Sequence, residues 1–104
     1  MENFRKIEVG DILAYSICYS MEIPVFLQVI KKTQKTVVVK EVEKDSYSDG
    51  YLSGTCVPKK NVFVSSGKEK RYQIQCDSKE QHIKVHGYIA NIWKGEALRY
   101  DYMD

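Results

Sequence analysis

The sequence predicts an all-β chain: one small antiparallel barrel of five to seven strands occupying residues 1–104 as a single domain. Three observations predict it. Branched and aromatic residues gather in short runs such as VFLQVI and TVVVKEV, which suit a pleated surface. Turn residues punctuate those runs at close intervals. No segment reads as a long helix, and Asp77 to His82 offers one helical turn at most. At this length a five- or six-stranded, SH3-like barrel is the most economical closed arrangement, because closure removes exposed strand edges.

Taken in order, residues 1–8 are polar and are expected to fray or pair loosely. Val9-Gly10-Asp11 reads as a turn, with Gly10 free in its backbone and Asp11 able to bond the chain two residues on. Ile12 to Ile17 follows as a strand, with Leu13 and Tyr15 on one face and Ile12 and Ala14 on the other. Cys18 to Pro24 reads as a loop, since Pro24 cannot donate to a ladder and belongs at a strand start or edge.

Val25 to Glu43 is the organising hairpin, two β-rich runs joined by KKTQK. Period two puts Val25, Leu27 and Val29 on one face and Phe26, Gln28 and Ile30 on the other. On the return strand Val37 and Val39 oppose Val38, Lys40 and Val42. Both faces are partly apolar at the centre, which suits a small curled sheet.

Asp45 to Gly54 reads as the clearest loop, carrying the tight-turn pair Asp49-Gly50. Thr55 to Val57 is a short strand, expected to stop at Pro58. Asn61 to Ser65 and Arg71 to Cys76 form a candidate hairpin across SSGKEK. Ile83 to Val85 is a short strand. Tyr88 to Trp93 and Ala97 to Tyr102 form a last hairpin across Lys94-Gly95-Glu96.

Composition excludes several classes. The hydrophobic share of 43% and charged share of 29% are those of a globular domain. The net charge of +2 is too small to imply nucleic acid by itself. Cys18, Cys56 and Cys76 are odd in number and lack a CxxC pair, so free thiols in a reducing cytoplasm are expected rather than a disulfide framework. The amino terminus lacks the apolar stretch of a signal peptide, and no apolar run is long enough for a membrane helix, so no membrane partner is expected.

Catalytic and metal motifs are wanting. His82 and His86 would share a helix face at their spacing, but four strand residues span about 13 Å, too far for one metal, so both read as surface histidines. GxSxG and phosphate-cradling glycine loops are absent. No catalytic residue, metal site or cofactor is expected, and the chain reads as a non-enzyme.

Charge carries more. Lys59, Lys60, Lys68, Lys70 and Arg71, with Glu69, give residues 59–71 a net +4, and Tyr72 follows them. With Trp93, this basic and aromatic set can hold a phosphate backbone and stack bases. Lys31, Lys32 and Lys35 add charge at the hairpin turn. Against them, Glu41, Glu43, Asp45 and Asp49, with Lys44, sum to −3, and separate basic and acidic patches suit a protein partner as well as a nucleic acid. Trp93 has two readings: a core anchor, or a binding hot spot if exposed beside Lys94-Gly95.

Several ordered segments carry a resemblance: Val9-Gly10-Asp11-Ile12, Tyr19-Ser20-Met21, Phe26-Leu27-Gln28-Val29, Lys35-Thr36-Val37, Val57-Pro58, Lys70-Arg71 and Ile92-Trp93-Lys94-Gly95. Together they resemble a group of small uncharacterised proteins of phages and other mobile elements in gut bacteria. Ile17-Cys18, Leu27 and Lys94 depart from that pattern. The resemblance implies a bacterial host cytoplasm and a non-enzymatic accessory protein that binds a host protein. By analogy with anti-CRISPR proteins, the partner it implies is a defence nuclease such as a CRISPR-Cas nuclease, masked by the acidic side chains Glu41, Glu43, Asp45 and Asp49. The alternative is an SH3-like nucleic-acid-binding module using the basic stretch.

Overall fold

A computed structural model describes residues 5–18, 22–50 and 53–101, with the side chains of 49 and 50 excepted. These residues form a small closed antiparallel barrel with extra strands, and among them there is no helix. The nine strands are β1 (Ile12–Cys18), β2 (Glu22–Lys32), β3 (Thr36–Gly50), β4 (Ser53–Phe63), β5 (Lys70–Gln73), β6 (Gln75–Cys76), β7 (Gln81–Val85), β8 (Tyr88–Ile92) and β9 (Leu98–Asp101).

Two rings share β2 and β3. In the first, β2 pairs with β1 and β3, β1 with β8, and β8 with β7. Closure comes from the chain segment Lys70 to Cys76, whose first half (β5) pairs with β3 and whose second half (β6) pairs with β7. Ile74 joins the halves, donating its N–H to the Lys35 carbonyl at 2.7 Å. The second ring runs β2–β3–β4–β9 and returns to β2 through Glu22 and Asp101.

Each ring encloses its own core, which is why β1 and β2 are apolar on both faces. Leu13, Leu27, Val29, Val37, Val39, Ile83, Val85 and Ile92 fill the first. Ile12, Phe26, Val42, Cys56 and Tyr100 fill the second, with Trp93 packed against them. The face assignments expected from period two hold for β1, β2 and the start of β3.

The first barrel is closed at one end. Ile7 is 0% exposed and packs into the first core. Arg5 bridges to Glu80, the Ile7 N–H donates to Gln81 Oε1 at 2.9 Å, and the Gly10 N–H donates to the Val29 carbonyl at 2.8 Å. Residues 5–8 are therefore a plug rather than a frayed tail: Ile7 burial acts together with the backbone bonds that Arg5 exchanges with Lys79 and Gln81 to offset the cost of ordering the segment.

Five other expectations of the fold are corrected. Of the supposed loop 18–24, Cys18 ends β1 and Glu22 to Pro24 open β2, with Pro24 opposite Ser16, while residues 19–21 lie outside the described residues. The supposed loop 45–54 is mostly strand: β3 runs to Gly50 and β4 starts at Ser53, with Ser48 opposite Gly54. A Cβ at Gly54 would collide with the Tyr47 carbonyl oxygen, so glycine permits that close pairing. Pro58 does not end β4. It sits opposite Lys44, beside a register shift between Val42 and Lys44, where a missing donor is tolerated. Asn61, within that irregularity, takes the left-handed conformation with φ 69°.

The hairpins expected at 61–76 and 88–102 do not form. β4 and β5 lie end to end along β3 instead of pairing with each other, and β9 pairs with β4 and β2 instead of β8. β8 pairs with β7 across His86-Gly87, both at positive φ (52° and 85°), the combination a two-residue primed turn requires.

Candidate functional site

The end of the first barrel opposite Ile7 is open. A cavity of about 240 Å³ lies there, with Leu27, Val39 and Val85 among the residues lining it. Each of these is the last apolar residue, or nearly so, of an inward-facing stripe. The next inward positions carry polar tips: Tyr15 on β1, Glu41 on β3, and Lys70 and Tyr72 on β5. The 66–68 loop adds Lys68, and the β7–β8 turn adds His86. Antiparallel pairing explains the convergence. Val39 faces Lys70 and Val37 faces Tyr72, so β5 enters the barrel at the same level at which Glu41 leaves it.

The mouth is a set of donors and acceptors with few internal commitments. Tyr15 stacks on Tyr88, with ring centroids 5.7 Å apart. Burial, reinforced by the neighbouring Tyr72, Glu41 and Tyr88 groups, holds the Tyr15 hydroxyl above its usual pKa, and burial does the same for Tyr72. Both phenols therefore stay neutral and able to donate. Among the described residues, the side chains of Glu41, Lys68 and Lys70 make no hydrogen bond or ion pair.

The basic and acidic stretches distinguished in the sequence are both divided by the fold. Glu41 turns toward the mouth and Glu43 is exposed. Asp45 pairs with Lys59 at 3.3 Å, and Lys44 donates to the Pro24 carbonyl at 2.6 Å. The Asp49 side chain lies outside the described residues. Lys60 is exposed on β4, away from Lys68, Lys70 and Tyr72 at the mouth, and Arg71 is exposed on β5 between Lys70 and Tyr72. Lys32 pairs with Glu8 beside the plug, so the basic hairpin turn belongs to the closed end.

Trp93 is half-buried, edge-on to Phe26 at 6.3 Å, and donates its indole N–H to the Glu96 carbonyl. This makes it an anchor of the second core. A wider groove of about 460 Å³ runs beside it, and the Lys94–Glu80 pair on its lining is already made at 2.7 Å.

His82 is corrected from surface to buried, being 7% exposed on the face of β7 opposite Ile83, while His86 is exposed. Asp77 lies 3.9 Å from His82 Nδ1. Among the described residues no group of three or more His, Cys, Asp or Glu could hold a metal. Cys18 and Cys76 are exposed free thiols and Cys56 is a buried one. No described helix is long and apolar enough to cross a membrane.

Tyr15 and His86 were not singled out as site residues from the sequence. The signal for Tyr15 is its place after Leu13 on the inward stripe of β1. The signal for His86 is its place before Gly87 in a two-residue turn. No family model, curated protein or solved structure matches this chain.

Proposed function

We propose that the chain is a non-enzymatic binding module for single-stranded nucleic acid and that the barrel mouth is its contact surface. One observation carries this reading. Tyr15 and Tyr72 meet Lys68 and Lys70 around an apolar floor at the open end of a barrel whose other end is plugged. Aromatic faces that can stack bases, beside cations that can hold phosphates, are the combination single-strand binders use. Barrel mouths are also common ligand sites. The mobile-element resemblance supplies the setting, an accessory protein in a bacterial cytoplasm.

The test is fluorescence anisotropy with a labelled single-stranded oligonucleotide across a salt series. Lys68 and Lys70 offer up to two phosphate contacts at the mouth, so log K should fall with log salt at a slope of about −1.4. Lys68→Ala with Lys70→Ala should flatten that slope. Absence of binding at low salt and micromolar protein refutes the reading.

A second reading keeps the host-protein partner, a defence nuclease such as a CRISPR-Cas nuclease. It is favoured by Tyr47, 58% exposed on the outer half of β3 between Glu43, Asp45 and Asp49 in sequence. An exposed aromatic among acids is a hot-spot arrangement. Reversing Glu41, Glu43, Asp45 and Asp49 together should then abolish capture of a host nuclease. Unchanged capture and unchanged nuclease inhibition would remove this reading.

A further inference from the structure

We infer that the mouth seats one unpaired base bearing an exocyclic amino group (cytosine, adenine or guanine) and that the Glu41 carboxylate accepts the hydrogen bond from that amino group. The inference rests on the nucleic-acid reading and names what that site selects.

The mouth holds about 240 Å³, below the roughly 300–1,000 Å³ of pockets for drug-sized ligands, so it suits one flat group rather than a folded peptide or a whole nucleotide. The lining sorts the ligand by chemistry. Leu27, Val39 and Val85 ask for an apolar body, and the Tyr15 and Tyr72 rings ask for a planar one. Lys68 and Lys70 ask for anionic groups beside the mouth and disfavour a cationic side chain from a protein.

Glu41 then decides among bases. An ionised carboxylate only accepts, so it needs a donor on the ligand. Glutamate and aspartate accept from the cytosine N4 amino group, and adenine N6 and guanine N2 offer the same kind of donor. Thymine and uracil lack the amino group: at the equivalent position they present a carbonyl oxygen that meets the carboxylate acceptor to acceptor, and only their N3–H, flanked by two carbonyls, is left to donate. The Glu41 carboxylate is available to such a donor. The residue's backbone carbonyl takes the Val64 N–H at 3.0 Å, while its side chain makes no hydrogen bond or ion pair among the described residues. Three neutral or cationic neighbours, Tyr72, Lys68 and Lys70, share the rim with it.

The experiment compares labelled oligo-dC and oligo-dT of equal length by anisotropy at one low salt concentration. Equal length equalises phosphate charge, so the affinity ratio reads the base. The expected ratio is about tenfold in favour of oligo-dC, the worth of one hydrogen bond to a charged acceptor. Glu41→Gln should bring the ratio close to one, because the amide can also donate to the thymine carbonyl. Its backbone bond to Val64 is unaffected, and a melting curve checks that the variant folds. Equal affinity of the parent for both oligonucleotides overturns the inference while leaving the nucleic-acid reading in place. Binding of neither overturns both. A parent ratio that survives in Glu41→Gln overturns the assignment to Glu41.

Discussion

Replacing Gln28 by leucine should loosen β4 from β2 without disturbing the barrel mouth. Gln28 is 5% exposed and stands between the two strands. Its Nε2 donates to Asn61 Oδ1 at 2.8 Å, and its Oε1 accepts the Asn61 backbone N–H at 2.7 Å. This two-bond clamp satisfies the backbone where β4 loses register with β3. Leucine keeps the volume and forfeits both bonds. Asn61 is exposed, so water can replace part of the loss, and the cost should be about 1–2 kcal/mol.

Cutting the clamp from the other side separates two terms. Asn61→Gly removes one bond, strands a buried Gln28 donor and tolerates φ 69°, costing about 1–3 kcal/mol. Asn61→Ala adds left-handed strain of about 1–2 kcal/mol. Urea denaturation should therefore rank Asn61→Ala as the least stable, and its Tm should fall about 4–8 °C per kcal/mol lost. Alanine and glycine variants of equal stability would refute the strain argument. A Gln28→Leu variant within about 0.5 kcal/mol of the parent would refute the clamp.

Ile7→Ala should cost about 2–5 kcal/mol, because a fully buried plug leaves a cavity in the first core, and denaturant midpoints measure it. The Asp77 carboxyl is held below its usual range by N–H groups of Glu80 and Lys79, assisted by His82. Its contribution is thus present above the unfolded carboxylate pKa and lost as pH falls through the lowered folded value. Asp77→Ala should shrink the acid-side fall in stability, read as Tm against pH. Burial pushes the Cys56 thiol up, so a thiol reagent should label Cys18 and Cys76 in the native protein and reach Cys56 only on unfolding. Labelling of three cysteines in the native state would contradict that burial.

Local pattern carried the class of fold. The alternation in Leu13, Tyr15, Val25, Leu27 and Val29 against Ile12, Ala14 and Phe26 was readable because side chains on a strand change face at every residue. Strand partners were not readable. β5 could pair with β4 or with β3, and only the length of β3, long enough to hold both along one edge, decides it. Pro58 and Asn61 looked like punctuation and instead form an irregularity fastened by Gln28, a residue distant in sequence.

The mouth was half legible. Tyr72, Lys68 and Lys70 stood out by charge and aromaticity, but grouping them with Lys59 and Lys60 followed sequence proximity rather than sheet geometry. Glu41 stood out as one acid of four, whereas its meaning lies in following Val37 and Val39 on the inward stripe. A polar tip at the end of an apolar inward stripe marks the rim of a barrel, and Tyr15 and Glu41 both fit that rule.

Titration of the isotopically labelled protein with a single-stranded oligonucleotide, followed by amide NMR shifts, tests the mouth most directly. Shifts should concentrate at Tyr15, Glu41, Lys68, Lys70, Tyr72 and His86, leaving Ile7 and the Tyr47 arm still. Shifts centred on Ile7 or Tyr47, or no shifts at low salt, would contradict a binding site at the open end of the barrel.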